Sequence, residues 1–119
     1  MIHGNLFERV PSGGEGEGDG DGERVDELLR GSGCRVLRIV SRGHTSPASG
    51  WYDQDDGEWV VLLRGGAVLS FPDRCDLALR PGDYLYLPAH ARHRVSWTDP
   101  QQDTVWLAVH IDGGAAPAP

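Results

Sequence analysis

Short apolar segments separated by Gly- and Pro-containing turns fill the chain from Cys34 onward. Turn signals recur every eight to twelve residues, and the 119 residues include 17 Gly and 8 Pro. This spacing predicts an all-β sandwich or small barrel of at least seven short strands. Strands and helices do not alternate in the pattern, so a parallel nucleotide-binding fold is not expected.

Seven segments carry the strand pattern, namely CRVLRIVS, GEWVVLLR, AVLSF, DLALR, DYLYLP, HRVSWTD and TVWLAVHI. The second is apolar on both faces, as in a central strand of a closed or sandwiched sheet. The pair Gly65-Gly66 follows it and predicts a hairpin to AVLSF. Pro81-Gly82 predicts a type II turn, because Gly82 can adopt the positive φ that this turn requires.

The chain before residue 32 has a different composition. The segment from Ser12 to Gly22 alternates Gly with acids and has no apolar side chain, so we expect a flexible linker. Residues 23–30 predict a short helix, since Val25, Leu28 and Leu29 share a helical face and acids lead the first turn.

These patterns divide the chain into three parts. We predict a flexible acidic Gly-rich N-terminal segment over 1–31, including the short helix, then a β-barrel over 32–112 and a disordered tail over 113–119.

Charge and composition argue against several classes of partner. The net charge is −7, all eleven basic residues are Arg, and no basic face is apparent, so we expect no nucleic-acid binding. The lack of Lys excludes Schiff-base chemistry. No apolar run is long enough for a bilayer and no signal peptide is evident, which predicts a cytoplasmic protein without membrane association. Cys34 and Cys75 are expected to be reduced.

Two polar residues fall on strand faces whose other residues are mainly apolar. In HRVSWTD, His93 alternates with Val95 and Trp97, so we expect all three to point inward. Glu58 shares its face with Val60 in GEWVVLLR. An interior carboxylate and imidazole must be satisfied by each other, by water or by a metal.

At these positions the chain resembles the cupin superfamily. That family's first motif is Gly, His-x-His, three or four residues, Glu, six residues and Gly, and Glu58 and Gly65 have this six-residue gap. The second is Gly, five residues, Pro-x-Gly, two residues, His, three residues and Asn. Gly82, Pro88 and His93 reproduce its spacing.

The resemblance covers about two thirds of the chain, from residue 35 to residue 111. It implies an antiparallel, jelly-roll-like cupin β-barrel, with a metal ion inside many members and frequent homodimers. The second motif departs from the family pattern, because His90 replaces its Gly and Trp97 replaces its Asn.

The first motif has lost its His-x-His pair. A four-residue gap places the pair at Trp51 and Asp53, and a three-residue gap places it at Tyr52 and Gln54. With Glu58 and His93 carried over from the family, the candidate metal ligands are Glu58, His93, Asp53 and Gln54. Such a set favours Mn, Fe, Zn or Mg. The alternative is a metal-free barrel in which Glu58 and His93 form a hydrogen-bonded pair.

Aromatic residues near the motifs are candidates for contact with a small ligand. Trp51, Tyr52 and Trp97 lie nearest the motif positions, and His44 lies in a loop that could cover the barrel mouth. The patterns leave open whether the face that carries His110 lines the interior.

Three functions are compatible with these observations. The first is a pocket that binds a small molecule and a divalent metal, with metal-assisted oxygenation or isomerisation implied by the resemblance. The second is a metal-free module that binds or senses a small ligand, and the third is a structural barrel that forms a homodimer through sheet edges.

Overall fold

The fold contains only β-strands. The computed structural model describes residues 1–8 and 23–116, and these residues contain no helix. Eight strands follow in chain order, β1 to β8: Arg24–Gly31, Cys34–Ser41, Gly57–Arg64, Ala67–Phe71, Arg74–Leu79, Tyr84–Leu87, Arg94–Thr98 and Thr104–Ile111. All strand pairs are antiparallel.

The strands form two sheets. One has five strands in the order β1-β2-β8-β3-β6, and the other has three in the order β5-β4-β7. Side chains from both sheets form a common core, with Val60, Leu62, Ala67, Leu69, Leu79, Leu87, Trp106 and Ala108 as its buried members. Apolar burial between two sheets is the main stabilisation of such a sandwich.

The predicted N-terminal helix is wrong. Residues 24–31 form β1, which pairs with β2 from Arg24 opposite Val40 to Gly31 opposite Cys34. An isolated helix of two turns is marginal in water, whereas pairing with β2 satisfies the backbone along the whole segment. A bulge between Glu27 and Leu29 breaks the strict alternation, which helps explain why the segment mimics a helical pattern.

The predicted hairpin at Gly65-Gly66 is also wrong. β3 and β4 belong to different sheets, so this pair carries the chain across the sandwich. Gly65 has a φ of 87°, and a Cβ there would lie 2.7 Å from the Cα of Thr104. The position therefore requires Gly because of a close backbone approach as well as its φ.

The remaining predictions have different outcomes. The linker from Ser12 to Gly22 and residues 117–119 of the tail lie outside the described residues. Within the described part of the chain, no helix is long and apolar enough to cross a membrane. Both cysteines are free. The homodimer remains a prediction.

Candidate functional site

A cavity of about 170 Å³ lies between the two sheets. Its walls are mainly aliphatic and aromatic, with contributions from Leu37, Ile39, Val60, Leu69 and Trp106. Eight polar side chains also line it. Five of them form a polar cluster, namely Tyr52, Gln54, Glu58, His93 and His110, and the others are Glu23, Ser41 and Ser46. An apolar pocket with a few converging polar groups is the usual form of a small-molecule site.

Glu58 is the central member of this polar cluster. It lies near the start of β3, its side chain is buried, and the backbone register places it opposite His110 of β8. The distance between Glu58 Oε1 and His110 Nε2 is 3.8 Å. Burial raises the pKa of Glu58 above its ordinary value, and Asp56 adds to this, while His110, His93 and a hydrogen bond with Gln54 oppose it.

Both imidazoles of the cluster are held through Nδ1. His93 Nδ1 lies 2.8 Å from the carbonyl oxygen of Ala91. His110 Nδ1 lies 3.2 and 3.1 Å from the two carboxylate oxygens of Asp56. Carbonyl and ionised carboxylate oxygens only accept, so each Nδ1 donates and each neutral ring keeps the lone pair of Nε2 for other partners.

The loop before β3 places alternate side chains inside and outside. Tyr52 exchanges two backbone hydrogen bonds with His93, of 2.8 and 3.2 Å, and the two rings lie 5.4 Å apart. Tyr52 and Gln54 therefore line the cavity, which corresponds to the three-residue gap of the first motif. Trp51 is 38% exposed and does not line the cavity.

Asp53 also lies outside the cavity. Its Oδ1 lies 2.6 Å from Nδ1 of His90, and this hydrogen bond raises the pKa of His90. His90 donates its backbone N–H to the carbonyl of Gln54, at 2.7 Å, and so joins the two loops. The structure thus brings three of the four predicted metal ligands to the cavity, namely Gln54, Glu58 and His93.

The expected inward orientation of Trp97 is wrong. Val68 pairs with Trp97 but the next residue, Leu69, pairs with Val95, so Ser96 is an extra residue in β7. The bulge reverses the alternation, and Trp97 is 46% exposed. Trp97 does not line the cavity, so its ligand-binding role stays a prediction.

His44 lies in the loop after β2, away from the cavity lining. Its backbone N–H donates to the hydroxyl of Thr98 at 2.6 Å, and that hydroxyl donates to the His44 carbonyl at 2.9 Å. The backbone of His44 therefore fastens this loop to β7. The predicted ligand-binding roles of His44 and Trp51 remain untested.

His110 is the site residue that the sequence pattern did not identify. It shares the inward face of β8 with Trp106 and Ala108, both buried. The opposite face carries Val105, Leu107 and Val109, which are equally apolar, so periodicity gives no signal for which face is inside. The pairing of β8 between β2 and β3 decides the question.

A wider open depression adjoins the cavity. It has a volume of about 590 Å³ and shares Gln54 and His110 with the cavity lining. Four aspartates and one arginine line it: Asp53, Asp55, Asp56, Asp112 and Arg35. Arg35 Nη2 lies 3.4 Å from Asp56 Oδ2. Among the described residues that line the depression, Arg35 and His110 are the basic ones, and both face Asp56.

The cavity donors do not fit a preformed metal site. Imidazole, carboxylate and amide groups are all ligand types that divalent ions accept. Among the described residues, however, no three His, Cys, Asp or Glu side chains are grouped so as to hold an ion. Tyr52 and Gln54 occupy the positions of the family's His-x-His pair, which removes two strong nitrogen ligands.

Comparisons with known proteins agree with this architecture. The family model described as "Cupin domain" matches residues 38–110. No curated protein matches the chain. A crystal structure from Ralstonia eutropha JMP134, named "putative mannose-6-phosphate isomerase", shares 43% identity, with a TM-score of 0.80 over 94% of this chain and 99% of that one.

More distant structures share the fold alone. A cupin superfamily protein from Desulfitobacterium hafniense DCB-2 has 19% identity and a TM-score of 0.62, covering 76% of this chain and 77% of that one. The polyketide cyclase RemF from Streptomyces resistomycificus has 17% identity and a TM-score of 0.64, covering 75% and 64%. The family match and the Ralstonia structure show that the chain belongs to the cupin domain family.

Proposed function

We propose that the cavity binds a small molecule and that Glu58 exchanges a proton with it. The observation that carries this proposal is a buried carboxylate in the wall of an apolar cavity, between two imidazoles held by their other nitrogens. Groups of this kind, with a pKa moved by burial and a specific partner, are typical of acid–base sites. The cupin fold supports a ligand-binding or catalytic role at this position.

The buried environment of Glu58 increases the affinity of its carboxylate for a proton. Because burial disfavours the ionised form, the carboxyl group of Glu58 is a better base when ionised than an exposed glutamate. A proton taken from a bound molecule would reside on Glu58, and Nε2 of His110 lies 3.8 Å away. Asp56 acts here as a positioning residue, since it holds His110 through Nδ1.

The proposal includes no metal-dependent step. The metal-assisted oxygenation or isomerisation implied by the family needs an ion, and the cavity donors do not form a site for one among the described residues. Glu58, His93 and Gln54 act instead as hydrogen-bonding and proton-transfer groups.

The name of the Ralstonia protein suggests a phosphorylated sugar as a substrate. Proteins bind phosphate mainly through Arg, Lys or backbone N–H groups. No arginine from the described part of the chain lines the cavity, and the sequence has no lysine. We therefore do not extend that substrate to this protein.

Side-chain NMR of the purified protein tests the proposal. A ¹³C titration of Glu58 should give a pKa above that of an exposed glutamate. Addition of a neutral probe, benzyl alcohol, should shift the imidazole signals of His93 and His110 but leave that of His90, which is outside the cavity, unchanged. An ordinary Glu58 titration would remove the acid–base role, and unperturbed imidazole signals would argue against the binding site.

A further inference from the structure

The size of the cavity limits what can bind. Pockets for drug-sized ligands have volumes of about 300–1,000 Å³, and an apolar cavity of about 150 Å³ holds benzene. At about 170 Å³ the cavity is just above the second value. The part of a ligand that enters the cavity, its body, is therefore about the size of one small ring or a short branched chain.

The walls determine the chemistry of that body. Leu37, Ile39, Val60, Leu69 and Leu87 offer aliphatic carbon and no hydrogen-bonding group. A hydroxyl group of a sugar placed against them would lose its hydration without gaining a hydrogen-bond partner, which disfavours binding. The body of the ligand is therefore apolar.

The polar cluster offers mainly acceptors. Nε2 of His93 and Nε2 of His110 each keep a lone pair in the neutral ring, because Nδ1 donates to Ala91 and to Asp56. The carboxylate of Glu58 accepts as well, and Gln54 already hydrogen-bonds with it. A ligand group that meets the Glu58 carboxylate and the neutral form of these two rings therefore donates a hydrogen bond.

The charged residues in and around the cavity disfavour anionic ligands. Glu58 lines the cavity, and no arginine among the described residues does. The depression next to it adds four aspartates, whose described basic neighbours are Arg35, His90 and His110. A negative potential at a concave, partly desolvated site repels anions and lowers their local concentration.

We infer that the cavity selects small uncharged molecules with an apolar body and one hydroxyl group that donates a hydrogen bond to the Glu58 cluster, and that it rejects carboxylates and phosphorylated sugars. This inference rests on the proposed function, because it assigns a ligand class to the same cavity.

Four probes of stated chemistry test it, each measured by NMR shifts of the His93 and His110 imidazoles. Benzyl alcohol has the apolar ring and the donor, toluene lacks the donor, benzoate replaces it with an anion, and a hexose 6-phosphate represents the phosphorylated sugars. We expect benzyl alcohol to bind about tenfold more tightly than toluene, as for one hydrogen bond to a charged group. We expect benzoate and the hexose 6-phosphate not to bind.

The variant Glu58→Gln supplies the control. An amide keeps the shape of the side chain but replaces one acceptor oxygen with a donor, so the preference for benzyl alcohol over toluene should shrink and benzoate should gain affinity. Tighter binding of benzoate or the hexose 6-phosphate than of benzyl alcohol in the wild type would overturn the ligand class but leave the binding cavity in place. No imidazole shift with any of the four probes would overturn the cavity as a binding site, and the proposed function with it.

Discussion

At the level of single residues, Glu58 makes the folded protein sensitive to pH. Burial raises the pKa of its carboxyl group, so the folded protein holds this proton more tightly than the unfolded chain does. The resulting stabilisation is complete below the ordinary value of 4.5 and is lost as the pH rises through the folded-state pKa. A buried, ionised Glu58 thus reduces the free energy of unfolding at neutral pH.

We predict that Glu58→Gln increases the free energy of unfolding at pH 7 and that the gain disappears near pH 4. The amide fills the same space and carries no charge that must be desolvated. Urea unfolding followed by circular dichroism at a series of pH values measures the effect. Asp55→Asn is the matched control, because the Asp55 side chain is 99% exposed and its removal should leave the pH profile nearly unchanged. Parallel profiles for the wild type and Glu58→Gln would contradict the prediction.

Residue spacing identified Glu58 and His93 because the two cupin motifs fix their distances to glycines and prolines that the turns require. Spacing could not decide whether Trp51 and Asp53 or Tyr52 and Gln54 correspond to the family's His-x-His pair. That choice depends on the backbone bridge between Tyr52 and His93, which connects residues far apart in the chain. Pairing between distant segments is the information that one sequence does not contain.

At the level of elements, β1 and β2 are held together by a buried ion pair. Arg38 Nη2 is 2.6 Å from Asp26 Oδ2, and both side chains are almost fully buried. Asp26 also pairs with Arg24 at 3.1 Å. Nη1 of Arg38 donates to the backbone carbonyls of Leu6 and Glu8, so the same guanidinium fixes the first residues of the chain.

We predict that Arg38→Met lowers the free energy of unfolding by about 3 kcal/mol, the lower end of the range for breaking a buried pair, since Arg24 still faces Asp26. The double variant Asp26→Leu with Arg38→Met should regain much of this loss, because both nearly fully buried charges are removed together, while Arg24 is partly exposed to water. Chemical denaturation measures both. Arg42→Met breaks the exposed pair with Asp103 and should cost at most about 1 kcal/mol. Equal losses for Arg38→Met and Arg42→Met would contradict a structural role for the buried pair.

The strands from β2 onward were predictable because their apolar segments end at Gly and Pro turns. β1 was not, since its acidic start and leucine pair fit a short helix equally well, and only the pairing with β2 favours the strand. The predicted inward orientation of Trp97 was wrong for a local reason. A single bulge at Ser96 reverses every side chain after it, and a bulge of this kind has no Gly or Pro signal here.

At the level of the whole molecule, the sandwich brings together polar residues from three distant segments. Gln54 and Glu58 come from the start of β3 and the loop before it, His93 from the residue before β7, and His110 from the last strand. Antiparallel pairing of β3 with β8 places Glu58 opposite His110, and the isolated bridge at Tyr52 brings His93 to the same place. The fold thus creates a polar cluster from residues that are each ordinary in their own segment.

The set of polar side chains in the cavity also determines whether the protein binds a metal ion. A cupin with the full His-x-His, Glu and His set would offer four ligands, whereas this cavity has Tyr52 and Gln54 in place of two of them. We predict that the purified protein contains well below one equivalent of Mn, Fe, Zn or Mg, measured by inductively coupled plasma mass spectrometry. Adding each ion should not raise the melting temperature, since stabilisation by a bound ion requires that the folded state offer a site for it.

Three variants test this prediction. Two remove candidate metal ligands in the cavity, and the third removes an exposed histidine as a control. Glu58→Ala and His93→Ala should leave the low metal content unchanged, as should His90→Ala, which removes an exposed imidazole bound to Asp53. An ion at 100 times its dissociation constant would stabilise the folded state by about 2.7 kcal/mol, a shift that thermal unfolding detects easily. One equivalent of metal that is lost in Glu58→Ala and His93→Ala but kept in His90→Ala would show that the cavity closes around an ion, and the metal-free proton-transfer site would then be wrong.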